Sequence, residues 1–196
     1  GMIIVFFYNV VDYMVLSYMP SHLNAVLGYG ETKGLLLILI VMLIMIPIVL
    51  TIGYFSDHIG KKPLIIGGLI GLILLSIPSF TMIGSGSNLQ VFFGLMILAS
   101  LLAAFLGTMP SLLPSLFFTE VRYGALAITY NISASLFGGT TPLIMAWMIQ
   151  VTENRMVPAY YLIATCLIGV VAMSFVKETS GRALRGSAPA VAEKHE

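Results

Sequence analysis

Asn9, Asp12 and Tyr13 stand at i, i+3 and i+4, so in a helix they share one face. The run around them is apolar, and Asp12 is the only acid or base well inside such a run. A carboxylate in lipid is costly, and one that is kept there points to function. Removal from water favours the protonated carboxyl, so Asp12 could carry a proton. The plainer alternative is a solvated residue in a wet cavity. Asn131 and Ser135 repeat the i, i+4 pattern further along, beside Tyr130. Such polar faces suit the wall of a substrate cavity near the membrane midplane. They also suit hydrogen bonds that hold helices together. The faces of Tyr13, Tyr18, Phe105 and Tyr130 could attract a quaternary ammonium group. Tyrosine is equally common at membrane interfaces.

A second cluster lies in a short turn, GYFSDHIGKKPLI, from Gly53 to Ile65. Any helical hairpin with a basic inner loop would explain Lys61 and Lys62. It would not explain Gly53, Asp57 and Gly60 at their offsets. Glycine at 53 permits close helix approach, and Gly60 permits a sharp turn. Asp57 could cap or face the positive end of another helix.

The elements that position these residues must lie in a membrane. Hydrophobic residues make up 59% of the 196-residue chain and charged residues 9%, where a soluble domain carries about 25% charge. Mean hydropathy is +1.03. Six segments approach the roughly 20 apolar residues that a span requires. They are 2–19, 34–55, 64–83, 89–117, 123–149 and 158–176, and together they define a six-helix transmembrane bundle over residues 1–176. Continuous apolar runs without period-2 alternation select helices over a barrel. Pro47, Pro78, Pro110, Pro114 and Pro142 fall within or at the ends of spans and predict kinks. Gly67 and Gly71 read as a small-residue packing pair. Residues 177–196 turn to Gly, Ser, Ala, Pro and charge, and read as a flexible cytoplasmic tail.

With both chain ends cytoplasmic, the inner segments hold Lys61, Lys62, Arg122, Lys177, Arg182, Arg185 and Lys194, and the outer loops only Lys33 and Arg155. The basic excess fixes that orientation. A lone cysteine, Cys166, excludes an internal disulfide. The first apolar run lacks a basic leader and a cleavage site, and an opening at Gly1 suggests a cut from something longer. His22, His58 and His195 are too scattered for a metal site. No phosphate loop or nucleophile motif is present, so neither enzyme chemistry nor a cofactor is expected.

The pattern G-x-x-x-D-x-x-G-K-K at 53–62 resembles the loop signature of the major facilitator superfamily of transporters. Residues 12–23, 113–147, 156–164 and 176–186 resemble its metabolite:proton symporter branch, which includes the proline/betaine transporters. The resemblance aligns the chain with helices seven to twelve, the C-terminal half. It implies a proton-coupled importer of a small zwitterionic osmolyte in a bacterial inner membrane, working by alternating access with a missing N-terminal six-helix half. In the superfamily the aspartate and basic residues of the turn form a gate-side charge network, which carries to Asp57, Lys61 and Lys62. The implied partners are a small-molecule substrate, a proton and the lipid bilayer, with no nucleic acid. No heptads follow Lys177 in residues 178–196, so the long C-terminal coiled coil of some relatives is not expected. An organic-acid:proton symporter and a non-transporting six-helix assembly protein are the alternatives.

Overall fold

The computed structural model describes residues 2–115 and 122–175, and every regular element among them is helical. The expected tail, residues 177–196, lies outside the described residues, as do residues 116–121. Eight α-helical segments follow in order: α1 Met2–Asp12, α2 Met19–Ser21, α3 Glu31–Ile59, α4 Lys61–Ile83, α5 Asn88–Ser115, α6 Arg122–Ser133, α7 Thr141–Thr152 and α8 Val157–Ser174. Five stretches are long and apolar enough to cross a membrane: α3, α4, α5, Tyr123–Thr152 and α8. The first span is helical to Val26 but divided, with π-helical turns at Tyr13–Tyr18 and His22–Val26 on either side of α2. A third π turn, Ala134–Gly138, joins α6 to α7.

The bundle is built around α5, which packs against both α3 and α4. On its other side α4 packs along α8, and α8 meets α1, which meets α6. Lipid is as apolar as leucine, so packing rather than water exclusion must hold these helices together. Small residues make that packing close. A Cβ on Gly107 of α5 would lie 2.9 Å from the carbonyl of Val49 and 3.0 Å from the amide of Gly53 on α3. A Cβ on Gly94 would lie 2.7 Å from the Ser79 carbonyl on α4. Larger side chains fill the centre: Leu69 and Leu72 of α4, Leu98, Leu102 and Phe105 of α5, and Leu162 of α8 are buried. Phe7 of α1 meets Phe105 edge-on at 6.2 Å.

The glycine pair expected at 67 and 71 is corrected. Gly67 is exposed and would have nothing within 4 Å of a side chain. Its neighbour Gly68 faces α5, where a Cβ would lie 3.0 Å from Ala104 and 3.1 Å from Phe105. The one-position shift puts Gly68, and with it Gly71, on the packed side of α4.

The two ends of the bundle are tied differently. At one end α3 and α4 are separated by Gly60 alone, with φ +99°. A residue with a Cβ is disfavoured there. At the other end the Tyr29 hydroxyl donates to Asn88 Oδ1 at 2.8 Å and to the Gly86 carbonyl at 3.3 Å. That bond clasps the end of the first span to the start of α5.

Candidate transport site and basic turn

The polar residues of the first span separate into two environments. Asn9 is fully buried against the fifth span. Its Nδ2 donates to the Val5 carbonyl and to Ser133 Oγ, each at 3.0 Å. Ser133 Oγ donates in turn to the Val5 carbonyl at 3.1 Å. The carboxamide oxygen of Asn9 is buried without a partner. This arrangement joins α1 to α6 across more than a hundred residues of sequence.

Asp12 and Tyr13, one turn on, are half-buried. Asp12 closes α1, which packs on α6, the helix that carries Tyr130. The Tyr13 ring packs against Gly138 of the fifth span. The first and fifth spans, which carry Asp12, Tyr13 and Tyr130, thus pack on each other. Tyr130 and Asn131 also line a cavity of about 330 Å³ with Pro110, Leu113 and Pro114 of α5 and Tyr123 of α6. The cavity wall is apolar and aromatic, with few polar groups. Asn131 Nδ2 is tied back to the Ala127 carbonyl at 2.8 Å. Ser135 is exposed, within the π turn Ala134–Gly138.

Two of the four aromatic candidates lie elsewhere. Phe105 is buried in the core against Phe7. Tyr18 is buried and shares a 3.1 Å hydrogen bond with Nδ1 of His22, whose ring meets Phe80 edge-on at 5.9 Å. The aromatic faces of those two are spent on packing; the Tyr13 ring has one side against Gly138, and Tyr130 lines the cavity. Sequence reasoning missed Ser133 and the Tyr18–His22 pair. The available signal for Ser133 was its i, i+4 relation to Thr129: both are buried, while Asn131 and Ser135 are exposed.

The basic turn has definite local roles. Gly53 sits at the close crossing of α3 and α5 described above. Asp57 lies within the last turn of α3 and is exposed, not just past the helix. That is the negative end of its own helix dipole, the less favourable end for a carboxylate. Ser56, buried beside it, donates to the Gly53 carbonyl at 2.7 Å. Lys62 Nζ donates to the Ser174 carbonyl at 3.3 Å, where a cation suits the C-terminal end of α8. Lys61 opens α4 beside it, half-buried.

The described residues form a bundle of long apolar helices with a divided first span, an acid inside it, and two lysines opening α4 just after the Gly60 turn. The family profile for sugar (and other) transporters matches residues 1–189, and the chain belongs to that family, within the major facilitator superfamily. Among curated proteins it is 42% identical over 191 residues to a putative proline/betaine transporter of Staphylococcus haemolyticus, covering 97% of this chain and 41% of that protein. It is 42% identical over 188 residues to the glycine betaine/proline/ectoine/pipecolic acid transporter of Dickeya dadantii, covering 96% of this chain and 37% of the relative. To the proline/betaine transporter of Escherichia coli K12 it is 40% identical over 188 residues, again 96% and 37%. The chain therefore spans about two-fifths of the length of the curated relatives it matches.

Proposed function

We propose that this chain is the C-terminal half of a proton-coupled symporter for small zwitterionic osmolytes such as proline or glycine betaine. In this reading both chain ends are cytoplasmic, in a bacterial inner membrane. The substrate binds between this bundle and an N-terminal half, and the halves rock to expose it to each side in turn. No covalent step is involved, and the proton gradient supplies the energy. The observation that carries the reading is Asp12, a half-buried carboxylate at the end of α1, the helix that packs on α6, which carries Tyr130. Tyr130 is also part of the wall of an aromatic cavity. Tyr13 and Tyr130 offer π faces to an ammonium group, and Asn131 offers an amide. The carboxyl of Asp12 can take and release a proton as access alternates. The names of the relatives support the substrate class.

The test is radiolabelled uptake by the full-length protein across a panel of zwitterions and organic acids, with an imposed proton gradient. The expected result is saturable uptake of proline or glycine betaine that collapses with the gradient. Asp12→Asn should lower uptake and flatten its dependence on pH. Uptake confined to organic acids would reassign the substrate. A wild-type pH profile in Asp12→Asn would remove the carboxyl from proton coupling.

A further inference from the structure

The irregular segments of two different spans meet each other. The first span turns π-helical at Tyr13–Tyr18, and the fifth at Ala134–Gly138. Gly138 is buried against the Tyr13 ring, where an added Cβ would lie 2.6 to 2.8 Å from three ring carbons. Phe6 and Phe137 meet beside this contact with ring centres 4.9 Å apart. A proline follows each π segment, Pro20 and Pro142. Proline withholds a backbone hydrogen bond, and π turns interrupt the regular ladder, so both helices are weakest against bending here. The packing changes partner across the same level. Before it, α1 packs on α6 and on Ala134–Gly138; beyond it, Tyr13–Tyr18 packs on α7. The Asn9–Ser133–Val5 hydrogen bonds fix the first of these pairings.

We propose that the first and fifth spans bend as one coupled hinge at the Tyr13–Gly138 contact. The α1–α6 pair is the fixed side. The segments beyond it, α2 through Val26 and α7, swing together. The Tyr29 clasp on Asn88 and Gly86 holds the present angle. The hinge adds bending within this bundle to any rocking of whole halves. It does not depend on the identity of the substrate.

The test is pulsed electron spin resonance on the full-length protein in lipid nanodiscs, with Cys166 replaced by Ala. Label pairs Asn24–Leu89 and Val151–Leu89 report each swinging segment against α5, all three sites being exposed. Tyr29→Phe should shift both distances in parallel by several ångströms. Gly138→Ala sets a methyl against the ring and should narrow both distributions. Adding Tyr13→Ala should restore their width. Should Gly138→Ala fail to fold, Tyr13→Ala alone decides: the two distances should cease to move together in the Tyr29→Phe background. A change confined to the Val151 pair, or parallel movement that survives Tyr13→Ala, would overturn the coupled hinge. These distances are read without substrate or gradient, so failed transport would not disturb them.

Discussion

Lys62 Nζ reaches the backbone carbonyl of Ser174 at 3.3 Å and so ties the turn between α3 and α4 to the end of α8, 112 residues away. The motif lysine is thereby a helix cap as well as a basic loop residue. Lys62→Met should loosen the last turn of α8 and lower stability by roughly 0.3–1 kcal/mol, the usual range for a cation at a helix C-terminus. Lys62→Arg should retain most of it. Hydrogen exchange at residues 170–174 is the readout, and unchanged protection in the methionine variant would remove the cap.

Asp57 sits at the unfavourable end of its own helix dipole. Asp57→Asn should therefore leave the stability of α3 unchanged or slightly higher. Uptake by the full-length protein should fall severalfold at matched expression, because a turn charge that favours one conformation sets the rate of cycling. Stability and uptake falling together would instead assign Asp57 a structural role.

The glycines of α4 and α5 should respond in opposite directions. Gly107→Val crowds the Val49 carbonyl and the Gly53 amide and should cost about 1–3 kcal/mol, the usual range for overpacking. Gly67→Ala meets open space and should gain up to about 1 kcal/mol of helix propensity. Thermal unfolding in detergent gives both signs. A stabilising Gly107→Val would mean that α3 and α5 do not cross at Gly107 and Gly53.

The Asn9–Ser133 bond should appear as coupling in a double-mutant cycle. Asn9→Ala, Ser133→Ala and the double variant should yield an interaction of about 0.6 to 1.7 kcal/mol, as interhelical hydrogen bonds in membranes do. Strictly additive losses would show that the bond does not hold α1 to α6. Ser133→Thr, which keeps the hydroxyl, should retain part of the coupling.

Much of this protein can be read from local sequence. Long apolar runs must become helices in lipid, because the backbone has no other partner there. A sharp turn at Gly60 follows from two apolar runs separated by a few polar residues, and its φ of +99° explains the glycine. The resemblance to the superfamily was also legible in local spacing, the offsets of Gly53, Asp57, Gly60, Lys61 and Lys62, and the family profile over residues 1–189 shows the membership. The tertiary structure decided which side of each helix is packed. In water a polar stripe marks the exposed face, but in lipid the exposed and packed faces are both apolar. Hydropathy therefore could not separate Gly68 from Gly67, nor place Phe105 in the core while Tyr130 lines a cavity. Nor could it pair Asn9 with Ser133 or Lys62 with Ser174. Each of those bonds joins residues more than a hundred positions apart, and only the order in which the helices pack brings them together.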